Sequence, residues 1–257
     1  MDNNKDYYGQ MMAQGAVNAT GAVILQSEMT IGGQRHVFVD LPGAVKEAFR
    51  RPPIGGVLKN PFPGPAKIYA GDLIEHSLGF ADNSGGTIKI LKSYEVAKAT
   101  DAATDTAIYI TRDGYHHIPF VGDNLMVGQK DFKTKSKGVL VTAVEATTDA
   151  TAGDVWKVTL SETLGTLTVG TVLVEAEKAG ATVLPMVTNP NCFAPCDVDM
   201  PFHALTGSDK FYAPRYLNDF CLLGTDVVMW KSRMSPIPPA VEAMNKSRYA
   251  EWWYAEN

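Results

Sequence analysis

The sequence predicts a mainly β protein: a small β-barrel or sandwich domain built from hairpins, with an extended Pro-rich N-terminal arm and a loop-rich C-terminal region ending in a short helix. Three observations carry that prediction. Residues 87–176 hold a series of β-branched and aromatic runs, several alternating at period two, with Thr/Ala/Asp turns between them. Before them, residues 40–65 contain Pro42, Pro52, Pro53, Pro61, Pro63 and Pro65, which rules out a central strand or a long helix there. After Gly180, prolines at 185, 190, 195, 201 and 214 separate short apolar pieces. The chain accordingly divides at 1–66, 67–180 and 181–257.

The first 35 residues are small or apolar without a clean period and read as an extended arm with room for one short helix. Residues 41–49 are long enough for two helical turns before Pro52 forces Arg51 out of the α region. From there to Pro65 the chain is expected to be extended and partly polyproline II. Such a segment is either a strap across its own domain or an anchor that docks in a partner's groove, where proline lowers the ordering cost. The anchor reading assigns contacts to Phe49, Arg50, Arg51, Pro52, Pro53 and Phe62. The arginine pair would meet an acidic surface, or otherwise remain solvated.

Strands are expected at 88–94, 107–111, 139–144, 155–160 and 171–174, with turns at 98–106 and 146–154. Two internal echoes support hairpins. Residues 92–110 and 141–158 both read as strand, Thr-Asp-Ala turn, strand. A glycine turn also precedes an apolar strand three times, at Gly71, Gly122 and Gly170, each followed by Asp or Thr that can bond back to the turn. Towards the C-terminus, 220–223 and 226–231 read as strands. A helix is expected from Pro239, proline being tolerated in a first turn, with Asn245, Tyr249, Trp252 and Trp253 on one face. Aromatic side chains bury large areas and are enriched at binding hot spots. Tyr249, Trp252, Trp253 and Tyr254 therefore either fold back on the β domain or make an intersubunit contact.

Composition narrows the function. The 257 residues carry a formal charge of −5, which gives no field for attracting phosphate backbones, so nucleic-acid binding is not expected. No apolar run approaches the roughly 18 residues of a membrane span, and residues 1–8 are polar where a signal peptide needs an apolar core. Synthesis in a cytoplasm is the expectation. Three cysteines are not a disulfide framework. Cys192 and Cys196 would form a metal knuckle only with help from Cys221 and His203; buried, inert thiols are the simpler reading, and neither metal nor cofactor is expected. Hydrolase, zinc-protease, phosphate-loop and dinucleotide motifs are missing from the sequence. Adjacent His116 and His117 would point to opposite faces of a strand, and Asp72, Glu75 and His76 form the one compact acid/histidine cluster, read as a solvated edge rather than a site. The chain is expected not to be an enzyme.

The hairpin-rich middle, the turn and strand at 170–176 and the segment 222–239 together resemble capsid-bound head fibre or decoration proteins of tailed bacteriophages, those of crAss-like phages in particular. The resemblance covers residues 71–244 and rests on turn and strand signatures. It implies a structural virion protein on the capsid exterior, made in the host cytoplasm, seated on the major capsid protein as a homo-oligomer, with a trimer favoured. A fibre of this kind normally continues into a long repetitive shaft. The 257 residues hold no such repeat, so a short knob, fibre base or cementing protein is expected. Two rival readings are a portal-proximal ring or tail adaptor, and a soluble carbohydrate-binding module. The last would use Tyr109, Tyr115 and Trp156 as a stacking platform for a glycan such as one on a host surface.

Overall fold

Period-two alternation in the middle of the chain closes a barrel. The computed structural model describes residues 49–50, 56–58, 66–77, 87–100, 105–194, 198–200, 216–217, 223–224, 227–248 and 252–255. Its strands are β1 (Phe49–Arg50), β2 (Gly56–Leu58), β3 (Ala66–Ile68), β4 (Leu73–His76), β5 (Thr87–Ile90), β6 (Ser93–Lys98), β7 (Ala107–Thr111), β8 (Asn124–Val127) and β9 (Ser136–Asp149). They continue with β10 (Gly153–Leu160), β11 (Val172–Glu175), β12 (Gly180–Val183), β13 (Cys192–Phe193), β14 (Val198–Met200), β15 (Tyr216–Leu217), β16 (Leu223–Gly224), β17 (Val227–Trp230) and β18 (Trp252–Ala255). A single α-helix is described, α1 (Pro239–Arg248), preceded by a 3-10 turn at Lys231–Arg233.

Strands β6, β7, β10, β9, β8 and β11 pair in that order, and β11 returns to β6, every step antiparallel. The ring has no free ends, and β12 extends it on the β9 side. Alternate residues fill its interior: Tyr94 and Val96 from β6, Ile108 and Ile110 from β7, Leu125 from β8, Val139 and Val141 from β9, Val158 and Leu160 from β10, and Leu173 from β11. Fully burying one such aliphatic side chain is worth about 1.5–3 kcal/mol, so the pattern that forms the strands also closes the ring. The mainly β expectation is met, and both echoed hairpins are present side by side, β6–β7 and β9–β10, joined through β7 and β10.

A second sheet, ordered β13-β4-β5-β2-β15, is antiparallel except where β2 meets β5. Between this sheet and the barrel lies a second core. It joins Leu73 and Phe193 to Met126 and Val174 of the ring and to Met234, Ile237, Ala240 and Val241 of the C-terminal segment. Helix α1 turns Ala240, Val241 and Met244 onto that core, the spacing of one helical face. Three short pairs complete the fold: β1 with β16, β3 with β14, and β17 with β18, the last parallel.

Four expectations are corrected. The run 88–94 is two strands, because the chain passes from one sheet to the other at Leu91 and Lys92. Residues 146–149 are strand, not turn; pairing with Gly153–Trp156 outweighs their Thr/Ala/Asp composition and leaves only Ala150–Ala152 to reverse the chain. Phe49 lies in β1, paired with Gly224, rather than ending a helix, and 41–48 fall outside the described residues. Trp252, Trp253 and Tyr254 lie in β18 and not on a helical face. Bulky aromatics favour the pleated conformation, and β17 supplies the backbone partners.

The glycine echo proves to be one turn used three times. Gly71, Gly122 and Gly170 have φ of 82°, 101° and 82°, the third position of a type II turn. In each, the residue after glycine donates its N–H to the carbonyl three residues back: Asp72 to Tyr69, Asp123 to Phe120, Thr171 to Thr168. The Asp72 and Asp123 carboxylates accept the Tyr69 and Phe120 N–H groups in return, at 2.8 and 3.3 Å. Both carboxylates are thereby carried into the protein at the start of β4 and β8.

Candidate functional site

Those two turn aspartates anchor a buried polar network between the barrel and the second sheet. Lys92, 1% exposed, reaches Asp123 Oδ1 at 2.9 Å and Glu175 Oε1 at 3.0 Å. Asp123 Oδ2 accepts the Tyr94 hydroxyl at 3.2 Å. One residue along β6, the Ser93 N–H donates to His117 Nδ1 at 3.3 Å, which places the ring proton on Nε2. That Nε2 faces Asp72 Oδ2 at 3.1 Å, so the imidazole donates to a carboxylate that also receives the Tyr69 N–H. Asp72 Oδ1 is buried without a hydrogen-bond partner and borders a cavity of about 10 Å³ lined also by Ser93 and Ser235. The network thus ties β4, β6, β8, β11 and the 116–123 loop together.

Burial acts to lower the Lys92 pKa, but the charges and hydrogen bonds of Asp123 and Glu175 outweigh it and hold the pKa above the usual lysine value. Burial, reinforced by the same two carboxylates, pushes the Tyr94 phenol well above its ordinary range. Both shifts mean that the folded chain retains protons that the unfolded chain has released. Stability contributed by Lys92 is complete below the ordinary lysine pKa and is lost as pH rises through the raised folded value; Tyr94 resists ionisation in the same direction. Urea unfolding from pH 9 to 11 should therefore show stability falling above about pH 10, with a shallower fall in Tyr94→Phe. A flat profile in the native chain would contradict the assignment.

Among the charged contacts outside this network, two lower the pKa of a carboxylate. Asp113 caps its own bend, accepting the Tyr115 and His116 N–H groups at 2.7 and 2.8 Å. Partial burial opposes ionisation, but His116 and these backbone donors lower its pKa to about 2. Asp149 is lowered to about 2 by Lys98 at 2.8 Å and by the Thr151 and Ala152 N–H groups of the hairpin turn.

The sequence-predicted residues separate. Phe49 and Arg50 form β1, opposite Gly224 and Leu223. Trp252, Trp253 and Tyr254 lie opposite Val227, Val228 and Met229. Arg51, Pro52, Pro53, Phe62 and Tyr249 lie outside the described residues, as do Cys196, His203 and Cys221; Cys192 is buried in β13. The compact acid/histidine cluster is not the solvated edge expected of it, since Asp72 and His76 are buried, and its members do not converge. Asp72 turns to His117, while Glu75 accepts the Thr188 and Asn189 N–H groups at 2.6 and 2.8 Å. His116 and His117 diverge, to Asp113 and Asp72, but from a bend and the loop after it rather than from a strand. Tyr109 lies opposite Lys157 and Trp156 opposite Ile110, so Tyr109 and Trp156 occupy opposite faces of the sheet. Tyr109 lies beneath Lys98 and Trp156 packs on the barrel core, which removes the proposed stacking platform.

Sequence reasoning missed Lys92, Tyr94, Asp123, Glu175, Asp72 and His117 as a unit. The available signal was a charged residue following apolar ones, at Lys92 after Ile90-Leu91 and at Glu175 after Val172–Val174. Charged residues are almost never fully buried unless paired, so each predicted an opposite charge elsewhere. Chemically the network is a set of buried ion pairs and hydrogen bonds between the two cores, with Asp72 Oδ1 left without a partner. Among the described residues no group of three or more His, Cys, Asp or Glu is arranged to hold a metal ion, and no helix is long and apolar enough to cross a membrane. No family model, curated protein or solved structure matches the chain.

Proposed function

We propose that the chain is a structural, non-enzymatic virion protein: a head fibre or capsid decoration protein on the outside of a tailed-phage capsid, bound to the major capsid protein as a homo-oligomer, with a trimer favoured. The observation that carries this reading is the closed barrel, whose interior is filled by its own side chains and whose outer hairpin faces solvent. A packed barrel stapled by buried charge is a rigid body suited to exposure, and its binding chemistry lies on its outside. The resemblance over residues 71–244 supplies the virion setting. In this reading Phe49, Arg50, Arg51, Pro52, Pro53 and Phe62 contact the shell, and Tyr249, Trp252, Trp253 and Tyr254 contact a neighbouring subunit or the shell. A host-surface glycan remains a further partner for the exposed body.

Quantitative mass spectrometry of gradient-purified particles tests this against the major capsid protein. Hundreds of copies at a fixed ratio to the shell, as a repeated surface component requires, support the proposal. About a dozen copies would replace it by a portal-ring protein, and absence from particles would overturn a virion role altogether.

A further inference from the structure

We infer that the second half of β9 is an interaction edge that pairs with the same edge of a second copy of this chain. Along its first half β9 has partners on both sides, β8 opposite Val139 and Leu140 and β12 opposite Ser136 and Gly138, and β10 pairs with it from Val141 onward. At Thr142 the register shifts, Leu160 facing Val141 and Thr159 facing Ala143. Such a bulge bends a strand and increases its twist. Beyond it, among the described residues, Ala143–Asp149 pair with β10 alone. Thr142, Ala143, Glu145, Ala146 and Thr148 are exposed there.

Hydrogen bonds at the far side of β10 fix which backbone groups are open. Leu160 N–H donates to Thr106 and the Asp154 carbonyl accepts from Arg112, so the even-numbered residues of β10 face β7 and its odd-numbered residues face β9. Opposite them, Ala143, Glu145, Thr147 and Asp149 turn their backbone groups toward β10. Val144, Ala146 and Thr148 therefore direct N–H and C=O outward, at the spacing of an antiparallel ladder.

This row is complementary to itself. A two-fold axis at Ala146 sets Ala146 opposite Ala146 and Val144 opposite Thr148, forming three hydrogen-bonded pairs that each exchange two backbone bonds. Glu145 then falls opposite Thr147 and Asp149 opposite Ala143, so no carboxylate lies directly opposite another. Residues 142–149 also hold no proline and no lysine, two of the devices by which natural edges discourage pairing. The inference does not depend on the virion reading. Being two-fold, the contact makes dimers, or hexamers where the threefold contact of the proposed trimer also forms; a trimer alone would lack it.

Sedimentation equilibrium of the full chain, native and Ala146→Pro, tests it. The proline removes an N–H that points away from β10, leaving the internal ladder intact, so the variant should keep its β circular dichroism. The native chain should sediment as an even oligomer and A146P at half that mass. A second variant, Ala146→Cys, should form on oxidation a disulfide linking position 146 to itself, mapped by peptide mass spectrometry. Residues facing each other in a hydrogen-bonded pair have Cα atoms about 5.5 Å apart, within disulfide range. A monomeric native chain, an odd oligomer, or an oligomer of unchanged mass in a folded A146P would overturn the inference.

Discussion

Replacing Lys92 by methionine is expected to destabilise the folded chain by about 3–5 kcal/mol at pH 7, the cost of leaving a buried charge without its partner. The substitution preserves side-chain volume and removes the cation that contacts both the Asp123 and Glu175 carboxylates, at 2.9 and 3.0 Å. Two buried like charges then face each other, and the low-energy response is for one to take up a proton. Its folded-state pKa is raised, so the native state binds more protons than the unfolded state. Stability of the variant should consequently recover as pH falls from 7 towards 5, a slope that a simple loss of packing would not produce. Urea unfolding of native and K92M at pH 5 and 7 checks both statements. A loss below about 1 kcal/mol at pH 7, the range of an exposed pair, would show that the contact is not the staple described. Combining K92M with Asp123→Asn and Glu175→Gln removes the whole charge set and should restore most of the loss, because a neutral interior of similar volume has no charge to desolvate.

The barrel was legible because its strands obey a short-range rule. Ala107–Thr111 alternates buried Ile108 and Ile110 with half-buried neighbours, and that rhythm is visible in five residues of sequence. The three glycine turns were legible for a similar reason, since φ of 82° to 101° is a condition that glycine alone meets without cost. What escaped was set by pairing between distant segments. Residues 146–149 look like a turn but have β10 to bond to, and Trp252–Ala255 meets β17 through a pairing some 25 residues apart in sequence, as Val227 opposite Trp252 requires. Hydrophobic pattern specifies which face of a strand is buried and leaves its neighbour open.

The polar network illustrates the same limit. Lys92 and Glu175 stand out in their apolar runs, and Asp123 was read as a turn residue, which it is: its carboxylate accepts the Phe120 N–H at 3.3 Å. Nothing local shows that the same carboxylate also receives Lys92 from 31 positions away. Asp72 lies close in sequence to Glu75 and His76, whereas its histidine partner is His117, 45 residues on. Sequence proximity is a poor guide to side-chain chemistry in a protein whose contacts are mostly between strands.

Replacing Phe193 by alanine should cost about 3–5 kcal/mol, the range for removing a large buried aromatic and leaving part of its cavity. Phe193 has no exposed surface and sits in the core shared by Leu73 of the second sheet, Met126 and Val174 of the barrel, and Val241 of α1. Its strand is also tied by backbone: Ala194 N–H donates to the Asp72 carbonyl, and Gly71 N–H donates to the Ala194 carbonyl, at 2.9 and 2.8 Å. A cavity here therefore loosens the turn that carries Asp72 to His117, and with it the loop leading to Asp123. If core and network act together, the loss is felt throughout, and hydrogen exchange should report equal loss of protection for the slowest amides of β4–β5 and of β7–β10. Were the barrel amides to keep native protection while β4–β5 lost theirs, the two sheets would be separate cooperative units, and the polar network would be a contact between them rather than the staple that makes them one.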